Sequence, residues 1–236
     1  MVNIENSRIY DDTSGWSGSV DVGFSIMDNK TRLYTLALKP KIQYKSKKHY
    51  YFLLSDFNYA RGANEVFSNT GMLHFRYAYR LGKKEATEKS PWKWESYLQI
   101  QYNELLDQRM RTLAGTGMRL KVTDHKGLRV FSGVSSFYEY EEIQSTRQII
   151  QDIRSSNYIS CYVHINSVAS LSAVTYYQPL WNNFQDYRFM GQYQLNFSVF
   201  KRTDFKVEFN TFYDSRPPSN VRNWVFNSLF GVRVKI

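Results

Sequence analysis

The chain has 236 residues, and 31 Lys and Arg against 21 Asp and Glu leave a formal charge of +10, with a pI near 9.5. Aromatic residues make up 17% of it, 19 of them Tyr, although mean hydropathy is −0.52; a disordered chain is poor in aromatics and is excluded. One Cys excludes a disulfide scaffold or a Cys-based metal site, and no apolar run of about 18 residues exists to form a membrane helix. What remains is a β-rich chain, soluble or a membrane barrel, whose basic balance suits nucleic acid, lipopolysaccharide phosphates or acidic small molecules.

The first residues, Met1-Val2-Asn3-Ile4-Glu5-Asn6, have neither a basic n-region nor an apolar h-region. The expectation is a chain without a signal peptide, whose residues 1–14 form a polar segment in the periplasm or inside a lumen. From Gly15 onward the period is two, which predicts strands. The first carries Trp16, Val20, Val22, Phe24 and Ile26 on one face and Ser17, Ser19, Asp21 and Ser25 on the other. The second sets Tyr34, Leu36, Leu38, Ile42 and Tyr44 against Lys39, Lys41 and Gln43; the third sets Tyr51, Leu53, Phe57 and Tyr59 against Asp56 and Asn58. The fourth alternates Leu73, Phe75, Tyr77 and Tyr79 with His74, Arg76 and Arg80, and the fifth alternates Trp94, Leu98, Ile100 and Tyr102 with Glu95, Gln99 and Gln101.

The sixth sets Ala114, Met118, Leu120 and Val122 against Arg111, Arg119 and Lys121, and the seventh sets Val130, Val134, Tyr138 and Tyr140 against Arg129, Glu139 and Glu141. In the eighth, Ile159, Cys161 and Val163 oppose Tyr158, Ser160, Tyr162 and His164. The ninth, about Val168 to Tyr177, allows either facing. Tyr187, Phe189, Tyr193, Leu195 and Phe197 oppose Arg188, Met190, Gln192 and Gln194 in the tenth. Phe205, Val207, Phe209 and Tyr213 oppose Lys206, Glu208 and Asp214 in the eleventh, and the last sets Phe226, Phe230, Val232, Val234 and Ile236 against Asn227 and Arg233.

Twelve is an even number, as a single-chain bacterial barrel requires. A small soluble barrel would turn its apolar face inward and could not hold this many rings, whereas an outer-membrane barrel turns that face to lipid and its polar face to the lumen. The apolar faces are almost free of charge. The expected fold is an all-β, twelve-stranded antiparallel up-and-down transmembrane β-barrel over residues 15–236. Tight polar turns at Lys45–Lys48, Thr123–Gly127, Asn166–Ser167 and Lys201–Asp204 alternate with longer stretches at Ala60–Val66, Asn103–Met110, Glu142–Asn157, Gln178–Asp186 and Asp214–Arg222. Asp28–Thr31, short on the long-loop side, and Gly82–Pro91, long on the short-turn side, break the rule, and the overall trend predicts both termini in the periplasm. Glu142–Asn157 would be the longest loop.

Three stretches resemble a domain-of-unknown-function family of salt-induced outer-membrane β-barrel proteins of Gram-negative bacteria: Gly15-Trp16-Ser17-Gly18-Ser19-Val20, Tyr176-Tyr177-Gln178-Pro179, and Phe212-Tyr213-Asp214 followed by Pro217-Pro218. The resemblance covers roughly Gly15 to Ile236 and departs from the usual turn at Asp28. It implies an outer-membrane barrel associated with salt stress and gives no mechanism. Gly231, Val234 and Ile236 are similar to the C-terminal signal read by the outer-membrane assembly machinery, with Ile236 where Phe is common.

The four His residues form no catalytic or metal-spaced motif, so no enzyme, cofactor or metal is expected. The strongest candidate site is a basic lumen. Its predicted lining is Lys39, Lys41, Arg76, Arg80, Arg111, Arg119, Arg129, Arg188 and Arg233, with Glu95 and Glu208 among the acids that pair with some of them. The expected function is a narrow or partly plugged pore for small, anionic solutes. The alternative is a closed structural or interaction barrel whose outer loops bind partners. Expected partners are outer-membrane lipid, lipopolysaccharide and the assembly machinery; nucleic acid is not among them, because it would not explain twelve long strands with an uncharged face.

Overall fold

A computed structural model describes residues 14–28, 32–62, 65–82, 90–125, 127–200, 203–218 and 221–234. The alternating segments form twelve strands: β1 (Gly15–Asp28), β2 (Arg32–Lys45), β3 (His49–Gly62), β4 (Glu65–Arg80), β5 (Trp92–Asn103), β6 (Gln108–His125), β7 (Leu128–Ile143), β8 (Ile149–His164), β9 (Ala169–Leu180), β10 (Asn183–Phe200), β11 (Thr203–Asp214) and β12 (Trp224–Val234). Each pairs antiparallel with the next, in the order β1 to β12. No β1–β12 ladder is present among the described residues. With twelve strands up and down, β1 starts and β12 ends at one rim, here called the near rim.

Strands of 16 to 18 residues, such as β6, β7, β8 and β10, exceed the 5–6 of an average soluble strand and the roughly 9–11 that a tilted membrane strand needs. In a bilayer, strands of this length would project past the hydrocarbon core. Two expected far-rim loops are in fact strand. Ile149 and Ile153 continue the outward face of β8 while Asp152 and Arg154 continue the inward one, so the β7–β8 connection is only residues 144–148. The expected loop at 178–186 shrinks in the same way to a two-residue turn, Trp181-Asn182, between Leu180 and Asn183. The charges there had the look of a solvated loop because they are paired on the inner face. The interval between β11 and β12 is longer, and at the near rim so is that between β4 and β5; loop length therefore does not separate the two rims cleanly.

A short 3₁₀ turn, Glu104–Leu106, caps the β5–β6 connection, and Asp107 follows it at φ 55. The Asp107 carboxylate accepts the Ser145 amide at 3.0 Å and its hydroxyl at 2.5 Å, tying the β5–β6 and β7–β8 connections together.

Pleat alternation sends large apolar side chains outward in every strand: Val20 and Phe24, Leu36 and Ile42, Leu53 and Phe57, Leu73 and Phe75, Leu98 and Ile100 are all exposed. Ring contacts run along this outer face near both rims. On β1–β4, Trp16 meets Tyr44 at 5.0 Å between centroids, Tyr44 meets Tyr51 at 6.3 Å, and Tyr51 meets Tyr77 at 5.1 Å, all close to the near rim. On β9–β12, Tyr177, Tyr187, Tyr213 and Trp224 follow one another at 5.6, 5.6 and 4.9 Å close to the far rim. Most of the buried side chains, Arg76, Glu139 and Tyr176 among them, lie on the inner face.

Candidate functional site on the inner face

The inner face is organised in three levels. Nearest the far rim is a charged network centred on Glu139, which is fully buried. Its carboxylate takes hydrogen bonds from Arg111, from Arg154 at 3.0 Å and from Arg188 at 2.5 Å. Arg188 also reaches Glu141 at 3.0 Å and Asp214 at 2.7 Å, and Arg154 reaches Asp186 at 2.8 Å. Arg188 belongs to β10 and Glu139 to β7, so the contact passes over β8 and β9. Such reach requires the sheet to curl around its inner face.

A polar chain joins this network to β4. His74 Nδ1 meets Gln99 Oε1 at 2.9 Å, Gln99 donates to Gln101 at 2.5 Å, Gln101 to Gln108 at 2.8 Å, and Gln108 to Glu141 at 2.6 Å. Buried polar groups need partners, and these side chains largely supply one another.

The middle level is apolar. Tyr97, Leu113, Phe137, Tyr158, Val174 and Tyr176, from five consecutive strands, form one buried cluster with Met190 of β10 packed on it. This settles the facing of β9: Ser172, Val174, Tyr176 and Gln178 point inward. Glycine makes the layer fit. Gly133 stands opposite Tyr158 and Gly115 opposite Tyr97, and the rings lie across them. A Cβ at Gly133 would come within 2.1 Å of the Tyr158 ring. Gly133→Ala should therefore displace that ring and cost about 1–3 kcal/mol as an overpacked site, measured as a lowered urea midpoint of the refolded protein. Beside this layer lies a cavity of only about 10 Å³, bordered by Arg76, Glu95, Tyr97 and Gly117 among others.

Toward the near rim the face is basic. Arg76 donates to Glu95 at 2.9 Å, and Arg119 lies 3.5 Å from the same carboxylate. The Arg119 guanidinium also sits 4.0 Å from the Phe131 ring centroid, and that of Arg129 5.0 Å from the Tyr162 ring. Arg80 donates to the Lys47 carbonyl at 3.2 Å.

The remaining sequence-derived candidates are spread more widely. Lys39 pairs with Asp56 at 3.1 Å, and Lys41 is half-buried opposite Ser19. Glu208 is buried and accepts from Lys206, from Gln192 at 2.7 Å and from Asn210 at 2.9 Å. Arg233 stands opposite Asp204, Val234 opposite Thr203 and Gly231 opposite Lys206 in the β11–β12 ladder; Ile236 lies outside the described residues, as does most of the N-terminal segment. The structure thus joins Arg111 and Arg188 in one network and Arg76, Glu95 and Arg119 in another. Sequence reasoning missed Arg154, the Gln chain and the apolar layer. The continued alternation of Ile149 and Ile153 around Asp152 and Arg154 was the available signal for the first.

The architecture is that of porin-type all-β proteins. A solved structure described as the NanC porin in a rhombohedral crystal form superimposes with a TM-score of 0.56 at 12% identity, over 92% of this chain and 100% of that one. The chain belongs to the family described as protein of unknown function, DUF481, whose model matches residues 20–231. Among curated proteins, none matches it.

Proposed function

We propose that the protein is a pore-like barrel of the bacterial outer membrane, closed by a β1–β12 seam, with both termini in the periplasm and a narrow lumen that admits only small solutes. The observation that carries this is the inversion of faces: apolar and aromatic side chains stand exposed on the outside, and the buried side holds Arg111, Glu139, Arg154 and Arg188. An outer-membrane barrel needs that arrangement and a soluble one the reverse. The two runs of outer-face rings support interfacial belts. The Arg188–Glu139 contact across β8 and β9 supports a sheet curled far enough to close. Twelve strands lie between eight, which fill with side chains, and about 16–18, which leave a water channel. Lipopolysaccharide and membrane lipid would then surround the outer face, and Gly231 and Val234 with Ile236 would form the assembly signal.

The apolar layer of Tyr97, Phe137 and Tyr176 favours a second reading, a closed structural barrel whose far-rim connections meet partners. Planar-bilayer recordings of refolded protein separate the two. A narrow pore predicts small, discrete conductance steps with anion preference. Stable insertion without steps would overturn the pore and leave the closed barrel. Protein that stays soluble without detergent would overturn the membrane reading itself.

A further inference from the structure

We infer that the outer face of β6–β8 at the far rim is a binding site for a phosphorylated glycolipid, the lipid A portion of lipopolysaccharide, with its phosphate held by Arg109 and Arg147. The inference rests on the barrel reading above, which puts the outer face in lipid and the far rim at the cell surface.

Two arginines converge on one carboxylate. Glu142 points outward at the end of β7, between Met110 of β6 and Ile149 of β8. Arg109 Nη1 reaches it at 2.5 Å and Arg147 Nη1 at 3.3 Å, and their side chains are 52% and 62% exposed. Two cations on one carboxylate leave one positive charge in excess, and among the described residues neither arginine reaches a second acid. The nearby acids are engaged elsewhere. Glu104 accepts from Asn69 at 3.0 Å, Asp107 holds Ser145, and Asp152 reaches Arg154 at 3.4 Å. The stretches 29–31, 63–64 and 219–220, which join strands at this rim, contain no Asp or Glu.

The backbone holds the pair in place. Arg109 is the extra residue of a β-bulge, since Gln108 pairs with Ile143 and Met110 with Glu142; a bulge re-aims the side chain it carries. Arg147 has φ 58, a left-handed conformation that a residue other than glycine keeps only where its surroundings impose it. Its amide donates to the Ile143 carbonyl at 3.0 Å, and the Gln144 amide donates to the Asp107 carbonyl at 2.8 Å. Arg109 and Arg147 therefore project from two connections that are tied together. Each engages Glu142 through Nη1 alone, which leaves most of a planar donor fork facing outward, and such forks suit phosphate.

From the rim toward the middle of the strands the outer face changes in steps. The next outward row is Thr112, Tyr140 and Gln151, and the Tyr138 hydroxyl donates to the Gln151 Oε1 at 3.1 Å. The row after it is Ala114, Tyr138 and Ile153, all exposed. Guanidinium, then hydroxyl and amide, then apolar surface is the order that a phosphorylated, acylated sugar presents in reverse. Polar side chains turned toward lipid are costly unless something there hydrogen-bonds them. A sugar with hydroxyl and amide groups supplies that at Thr112 and Gln151, whereas a lipid with only a phosphate does not. A dissolved phosphate would leave the apolar row uncovered.

The test is thermal unfolding of the full refolded chain in zwitterionic micelles, followed by Trp fluorescence, with diphosphoryl lipid A added to the micelles. Lipid A at 100 times its dissociation constant should raise the midpoint by about 5–10 °C over micelles with added phosphatidylcholine. Phosphatidylglycerol and inorganic phosphate should each give less than half of that shift. The double variant Arg109→Gln/Arg147→Gln should leave the lipid-free midpoint nearly unchanged, because both side chains are exposed, and should remove most of the lipid A shift. Arg61→Gln, on β3 at the same rim, should keep it. No lipid A shift in the wild type would overturn the site, as would a full shift in the double variant. A full shift with inorganic phosphate would overturn the lipid, and one with phosphatidylglycerol would overturn the sugar. Stable bilayer insertion without a lipid A shift would remove the site and keep the barrel; a lipid A shift in a protein that never conducts would remove solute passage and keep the site.

Discussion

Glu139→Gln is expected to lower the unfolding free energy by about 3–5 kcal/mol, the cost of removing one partner from a buried ion network. The substitution keeps the side chain's shape and removes its charge. Arg154 and Arg188 retain Asp186 at 2.8 Å and Asp214 at 2.7 Å, but the nearest remaining carboxylate to Arg111 is Glu141, 4.0 Å from its Nε. The loss therefore falls mainly on Arg111, which is almost wholly buried. Arg111→Met in the Glu139→Gln background should recover a substantial part of it, because a buried apolar chain replaces an uncompensated buried charge. Urea titrations of the wild type, both single variants and the double variant complete the cycle, and additive losses would show that Arg111 and Glu139 are not coupled. Glu142→Gln supplies the contrast. Its partners Arg109 and Arg147 are both largely exposed at the far rim, so that change should be nearly silent. If Glu139→Gln were equally silent, the inner face would be open to water at that level.

The strands were legible because alternation is a local property. Each of the twelve carries its own inward and outward residues, and neither the facing of Leu73 against Arg76 nor that of Ile159 against Tyr158 needs knowledge of a neighbour. Contacts between non-adjacent strands have no such signature. Nothing in the spacing of Arg188 and Glu139 says that two intervening strands curl enough to let them touch. The apolar layer was hidden for a related reason. Leu113, Phe137 and Val174 lie on the inward face, where alternation alone predicts polarity, and they become a cluster only when five strands bring them to one level. Gly115 and Gly133 were a usable clue, since a Gly opposite a Tyr in a strand marks a ring lying across the backbone. The convergence of Arg109 and Arg147 on Glu142 depends on the bulge at Arg109 and on where the β7–β8 connection turns, which the sequence leaves open.

Leu98→Arg and Leu105→Arg should behave very differently, although the wild-type side chains are equally exposed, at 57% and 59%. Leu98 points outward at the middle of β5, between Phe75 and Ala114, whereas Leu105 lies in the 3₁₀ turn beyond the far end of that strand. In water, both would be ordinary surface substitutions, each worth within about 0.5 kcal/mol. In a bilayer, height decides: an outward Arg near the midplane costs about 2–4 kcal/mol and one near the interface about 0–1. Urea unfolding from phospholipid vesicles should therefore lower the stability of Leu98→Arg by about 2–4 kcal/mol and leave Leu105→Arg almost unchanged. Burial cannot produce that difference, because the two leucines are exposed alike, and strand propensity acts on a smaller scale, about 1 kcal/mol across all residues. Equal effects at the two positions would mean that no lipid contacts β5, and the inverted faces would then need a protein partner, covering the whole outer wall, to explain them.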